Sequence, residues 1–313
     1  MDIIGLGYVG IDAPDPEAWL AFGRDIIGLD PGCAPIAPAH LDQGRDGRGP
    51  DGSVYFRVDE WSWRLAVHPM RDGQERPGLR YLGFEVAGEA ELQVAMAELE
   101  AAGHAVRRGD AADCQSRAVS GIAFTRDPSG NAVEMFHGPR VTNLYRNSKG
   151  MEFLTGDMGM GHVNLFSSNY EESAAFYTGL LGFRMTDFYQ VGEGQTVNFF
   201  HCNRRHHTVG LMKVAPFDAI HHIMFECTDI DMVGLAYDRV LAAGTKVTAS
   251  LGRHSNDRII SFYCESPSGV EIEIGWGAIT VGPDWTPRFR SPGDLWGHHG
   301  LTAEAIAEGG KDK

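Results

Sequence analysis

Short runs of alternating apolar and polar residues, each leading into a stretch of helical period, recur along the chain. Residues 7–32 (GYVGIDAPDPEAWLAFGRDIIGLDPG) read as a strand, a polar turn and a helix stopped at Gly28. Residues 161–186 (GHVNLFSSNYEESAAFYTGLLGFRMT) read the same way, with the stop at Gly182. Residues 80–103 parallel 221–244, a strand followed by an amphipathic helix closed by Ala-Ala-Gly. Residues 124–139 parallel 262–278, two strands around a Pro-Ser-Gly turn. Self-similarity at a spacing of about 140 residues predicts two copies of one unit, with strand–helix–strands twice in each. The expected fold class is α+β, with two domains, each of two βαβββ modules forming open, funnel-like mixed sheets. The domains are placed at 1–145 and 146–290, and 291–313 is expected to be a polar, frayed tail. Residues 35–53, rich in Gly, Pro and Asp, read as a loop.

The two copies differ where chemistry is expected. His162 falls opposite Tyr8, His222 opposite Tyr81 and Glu273 opposite Glu134. Successive strand residues face opposite sides of a sheet. Val163 and Leu165 then lie on one face with His162 and Asn164 on the other, and Ile272 and Ile274 lie opposite Glu271 and Glu273. Tyr81 and its counterpart His222 are likewise placed away from Leu82 and Phe84. With helices covering the apolar face, two imidazoles and one carboxylate look into a concave interior. That donor set, with coordination positions left open, suits non-haem Fe(II). A lone strand histidine is ordinarily structural; three candidates at matching positions on one face are harder to explain that way. Glu134, without histidine partners, is expected to be structural.

Further histidines crowd the same copy, including the pairs His206–His207 and His221–His222. Adjacent strand residues face opposite ways, so at most one ring of each pair is expected to face the site, and parity does not choose between His206 and His207. The run GRHSNDRIISFY adds His254, Asn256, Asp257 and Tyr263, groups able to move a proton or donate to an oxygen. Phe188, Phe199 and the Trp276 region are candidates for an aromatic pocket wall, although strand aromatics are more often core. His40, His104, His137, His298 and His299 lack such company and are expected to be solvated.

Charge narrows the function. The 313 residues carry 27 Lys+Arg against 42 Asp+Glu, a formal charge of -15, which argues against nucleic acid or an anionic membrane as the main partner. Five scattered cysteines, none spaced C-x-x-C, speak against a disulfide scaffold or a thiolate zinc site. They favour a reducing, cytoplasmic location, consistent with a start that lacks signal-peptide features. No apolar run approaches the ~18 residues of a membrane span. The 40 glycines imply many tight turns between short strands.

Four segments carry a family likeness: GMGHVNLF (159–166), FFHCNRRHHTVGL (199–211), HHIMFE (221–226) and GRHSNDRIISFYCESPSGVEIEIGWG (252–277). With them the chain resembles the type I extradiol ring-cleaving dioxygenases of the vicinal oxygen chelate superfamily, over nearly its whole length. It is most similar to two-domain members acting on 2,3-dihydroxybiphenyl and related bicyclic catechols. The resemblance implies Fe(II), with Mn(II) as the alternative, held by His162, His222 and Glu273, and O2 as co-substrate. It implies His207 as the catalytic histidine of its pair, serving charge stabilisation and proton donation, with His254 and Tyr263 on the substrate oxygens. Asn256 and Asp257 would line the pocket. Ser266 is a conservative departure from the family pattern, and the 35–53 loop bears on subunit contacts rather than chemistry. A small-molecule catechol and further copies of the chain in a homo-oligomer are the implied partners. A glyoxalase-like isomerase using Zn or Ni and a metal-free binding module are the rival readings. Neither accounts for the full set of site residues.

Overall fold

Period-two alternation places strands where one face can bury and the other can line a concavity. The computed structural model describes residues 1–35, 46–142, 145–291 and 293–302. His40 and most of the 35–53 loop lie outside these residues. In the N-terminal half, β1 (Gly5–Ala13), α1 (Pro16–Ala21), β2 (Asp30–Pro31), β3 (Val54–Arg57) and β4 (Leu65–Pro69) form one βαβββ module. The next comprises β5 (Gly78–Glu85), α2 (Glu89–Ala101), β6 (Arg107–Arg108), α3 (Ala111–Arg117), β7 (Gly121–Arg126) and β8 (Ala132–His137). The C-terminal half repeats the plan with β9 (His162–Phe166), α4 (Tyr170–Ala175), β10 (Arg184–Gly192), β11 (Gln195–His201) and β12 (Val209–Lys213). It continues through β13 (Ala219–Cys227), α5 (Ile230–Ala242), β14 (Val247–His254), β15 (Ile260–Glu265) and β16 (Glu271–Trp276). Two short strands, β17 (Arg288–Phe289) and β18 (Asp294–Trp296), follow.

Each half is one mixed sheet. The N-terminal order is β2-β3-β4-β1-β5-β8-β7-β6, and the C-terminal order is β17-β10-β11-β12-β9-β13-β16-β15-β14-β18. In both, two modules join through an antiparallel pair of their first strands, β1 with β5 and β9 with β13. The edges of the second sheet, β17 and β18, are near neighbours in sequence. The five steps from Phe289 to Asp294 span at most roughly 17 Å, so the arm carrying them bridges the mouth of that sheet. The frayed tail expected from residue 291 is corrected here: a strand at Asp294–Trp296 pairs with β14.

The helices behave as their patterns require. Both α2 and α5 bury one face at i, i+3 and i+7, Leu92, Ala95 and Leu99 in one and Val233, Ala236 and Val240 in the other. Each Ala-Ala-Gly stop has its glycine at positive φ, 84° at Gly103 and 67° at Gly244, where a side chain would be strained. The inner apolar faces of both sheets share one core, in which Val163, Leu165, Ile272 and Ile274 meet Leu82 and Phe84 from the first half. Phe84 packs edge-on against Phe183 at 5.5 Å between ring centroids. The concave face of the second sheet thereby stays outside that core. No described helix is long and apolar enough to cross a membrane.

Candidate active site

Three strands converge at the floor of the second sheet. β13 lies between β9 and β16, pairing antiparallel with one and parallel with the other. Their inward positions bring together His162 from β9, His222 from β13 and Glu273 from β16. The two Nε2 atoms are 3.1 Å apart and lie 3.2 and 3.4 Å from the same Glu273 Oε2. All three residues are buried, and neither Glu273 oxygen has a hydrogen-bond partner. An unpaired buried carboxylate costs several kcal/mol, so this arrangement calls for a cation. Donors at right angles on a metal with ~2.1 Å bonds stand roughly 3 Å apart, close to the observed triangle. The residues therefore fit a divalent ion held by one face, and their N2O chemistry suits Fe(II). Burial alone would raise the Glu273 carboxyl, but the surrounding His162, His254 and His222 rings outweigh it and hold it well below the usual range. Burial, then the charge of His221, pushes His222 well below an ordinary histidine, toward the neutral form that ligates metals.

His207 reaches the site from the connection between β11 and β12. Buried Arg205 braces that connection, donating to Met158 O at 3.0 Å and Leu154 O at 2.7 Å while pairing with Glu226 at 2.5 Å. The segment is not strand, so parity could not apply. His207 stacks 3.9 Å from the His162 ring and 4.6 Å from Phe199. His206 instead points back to Asp187, 3.2 Å from Oδ2. Burial first, and the neighbouring imidazoles second, push His207 well below the ordinary pKa.

The other pair departs from the expectation of one inward ring. A register irregularity between Ile220 and His222 breaks the alternation of β13. His221 as well as His222 then lines the pocket, their Nδ1 atoms 2.6 Å apart. His254, at the end of β14, and Tyr263, on β15, face each other with Nε2 and OH 2.8 Å apart. Burial disfavours charge on His254, but the Asp294 and Glu273 carboxylates outweigh it and push the pKa up to about 10. Burial and then the Glu273 charge raise the Tyr263 phenol well above 10. Asn256 and Asp257 occupy the buried loop between β14 and β15 and line the same pocket.

All eight sequence-predicted site residues thus line one pocket. Its remaining wall differs from expectation. Phe199 belongs to it, with Tyr189, Met212 and Leu301. Phe188 instead packs on Phe289, one residue off in parity from Tyr189. Trp276 donates to Thr228 O at 3.2 Å. His298 is not solvated: it is 3% exposed, and its Nδ1 lies 2.7 Å from Asp294. His104 packs on Phe176 and His137 contacts Glu89, while His299 is exposed as expected. Asp294, His298, Tyr189 and Leu301 escaped the sequence reading. Only the alternation of β10 could have pointed to one of them, Tyr189.

The profile of the Glyoxalase/Bleomycin resistance protein/Dioxygenase superfamily matches residues 159–274, the stretch holding all eight of the sequence-predicted site residues. A biphenyl-2,3-diol 1,2-dioxygenase of Paraburkholderia xenovorans (strain LB400) is 35% identical, aligned over 98% of this chain and 99% of its own. An iron-dependent extradiol dioxygenase of Rhodococcus jostii (strain RHA1) is 36% identical over 95% of this chain and 97% of its own. Among solved structures, BphC, a halotolerant catechol dioxygenase, superposes with a TM-score of 0.85 at 32% identity, covering 95% of this chain and 94% of that one. With near-complete alignment at this identity on top of the converged His-His-Glu floor, the chain belongs to the iron-dependent extradiol dioxygenases of that superfamily.

Proposed function

We propose that the chain cleaves a 3-substituted, biphenyl-type catechol with O2, beside rather than between the hydroxyls, to a 2-hydroxy-6-oxo-dienoate. The observation that carries this is Glu273, buried without a hydrogen-bond partner within 3.4 Å of two imidazole nitrogens, below a wall of aromatic and aliphatic side chains. Relatives named for biphenyl-2,3-diol, 1,2-dihydroxynaphthalene and 3-methylcatechol support the substrate class. Fe(II), or Mn(II) as the alternative, held by His162, His222 and Glu273, would supply adjacent positions for catechol and O2. Phe199, Met212, Tyr189 and Leu301 offer the apolar surface for the second ring.

The remaining residues position and protonate. Tyr263 and His254, joined at 2.8 Å, hold the substrate oxygens. His207, neutral at rest by its burial, still carries one N–H that can stabilise negative charge gathering beside His162; that charge would raise its proton affinity enough to take up a proton released by the catechol hydroxyls, which it would then return as the acid. Asn256 and Asp257 close the polar side of the pocket. A cytoplasmic location is in line with the chain's free cysteines, and a homo-oligomer is the assembly that the family likeness implies.

The test is oxygen uptake with Fe(II)-loaded protein and 3-phenylcatechol, followed by the visible spectrum. Stoichiometric consumption with a yellow product is expected. Absence of uptake from iron-loaded protein across phenyl-, naphthalene-type, steroid-type and methyl-substituted catechols would refute the reading.

A further inference from the structure

The arm after β16 does more than cap the sheet. Its strand β18 pairs antiparallel with β14, and the register sets Asp294 directly across from His254. Asp294 Oδ1 lies 2.6 Å from His254 Nδ1 and 2.7 Å from His298 Nδ1. On its far side the His254 ring meets Tyr263 OH at 2.8 Å. His298 stacks on His254, with centroids 4.2 Å apart, and its Nε2 rests 3.0 Å from the backbone oxygen of Ser261. The same arm is anchored at its start by buried Asp187, which accepts from Arg288 N at 3.0 Å and Arg290 Nε at 2.9 Å.

Three donor atoms meet at Asp294, as at a metal centre. The separations decide against one. Atoms sharing a divalent ion stand roughly 3 Å apart, whereas 2.6 and 2.7 Å are charge-assisted hydrogen-bond lengths. A carboxylate facing Nδ1 demands the proton there, which fixes the ring's orientation and leaves Nε2 directed at the Tyr263 hydroxyl and the pocket. We infer that Asp294, held in place by β18 and buttressed by His298, is a positioning residue that orients His254 for the substrate oxygens. The cross-strand pair makes this a task of the arm: without β18, β14 is an edge strand and His254 has no partner at Nδ1.

This inference rests on the placement of His254 against substrate proposed above, and a double-mutant cycle separates the two. Asp294→Ala, His254→Phe and the double variant are compared by kcat/KM for 3-phenylcatechol, with iron content and melting temperature measured on each. Leu295→Ala, an exposed β18 position, controls for docking of the arm. Asp294→Ala is expected to lose about 10–100-fold, with iron content retained. Asp294→Asn, which keeps an acceptor, should recover most of that loss. In the His254→Phe background Asp294→Ala should change nothing further, and Leu295→Ala should remain at the wild-type level.

If Asp294→Ala costs as much with Phe at position 254 as with His, or if Asp294→Asn is no better than Ala, the positioning role is overturned. Full activity in Asp294→Ala overturns it as well. Full activity in His254→Phe would instead remove the assignment of His254, and the inference with it. Should Asp294→Ala melt too low to assay, Asp294→Leu, of similar size but without an acceptor, takes its place in the cycle.

Discussion

Glu134 and Glu273 hold the same place in the two halves, on β8 and β16, and are almost equally buried at 2% and 1% exposure. Their neighbours give them opposite fates. Glu134 accepts from Tyr8 OH at 2.8 Å and from the Arg117 fork at 2.8 and 2.9 Å, while Glu273 has two orphaned oxygens. Arg117 ends α3, the helix between β6 and β7; between β14 and β15 the second half has instead the loop of Asn256 and Asp257. The hairpin registers extend the comparison. Phe56 pairs with Leu65 and Phe200 with Val209, so Trp63 matches His207, each two residues before the returning strand. Trp63 lies 4.6 Å from Tyr8, much as His207 lies 3.9 Å from His162. One concavity is filled by its own aromatic rings and an internal cation. The other keeps its carboxylate unpaired for an ion from outside.

The strongest way to break this contrast is to remove one ligand on each side. Glu273→Ala or His222→Ala should lower turnover more than about 10³-fold, with iron content falling alongside. Glu134→Ala should leave iron and turnover near wild type and cost roughly 3 kcal/mol by stranding Arg117, measured by urea unfolding. A Glu134→Ala protein that lost its iron would end the comparison. Next, His207→Phe should cost about 10²-fold in turnover with iron retained, and unchanged turnover and oxygen affinity would remove His207 from the chemistry. A smaller effect is expected from chelation. At a hundredfold excess of iron over its Kd, binding contributes about 2.7 kcal/mol, so stripping the metal should lower the melting temperature of the wild type and leave Glu273→Ala almost unmoved.

A pH series sharpens the N-terminal side. His68, bonded to Ser53 at 2.7 Å and Tyr81 at 2.8 Å, is pushed down to about 3 by burial and then by Arg80 and Arg117. An unfolded histidine titrates near 6.5. Between those values the unfolded chain binds the extra proton, so stability falls as pH drops from about 6.5 toward 3, by at most ~1.4 kcal/mol per unit. Urea midpoints measured from pH 7 to pH 4 should decline more steeply for the wild type than for His68→Gln; parallel lines would remove His68 as the cause.

What could be read beforehand followed regular strand geometry. The internal repeat and the two-residue period were enough to bring His162, His222 and Glu273 to one face, because each sits on a paired strand and the irregularity in β13 falls before His222, leaving its pairing with Asn164 and Glu271 intact. The run GRHSNDRIISFY offered His254 and Tyr263 by residue type alone, and the family likeness chose His207 over His206 and gave all three their roles. His221 was obscured by a bulge, which alternation cannot anticipate, and His206 and His207 by a connection that is not strand. Asp294 and His298 left no periodic trace: a three-residue strand in a Pro- and Gly-rich stretch owes its position to β14. Arg117 was unreadable for a similar reason, since α3 buries none of its residues and has no apolar stripe.

The strands at the borders of the two sheets bear on how copies of this chain can associate. β2 ends in Pro31, β6 consists of Arg107 and Arg108, β17 begins with Arg288 and β18 has three residues starting at Asp294. Brevity, proline and charge at a border all discourage backbone pairing with another molecule. The eighteen strands of the described residues are therefore enclosed by four margins that discourage templated pairing. Such margins favour association through faces and loops over extension of either sheet across a subunit boundary.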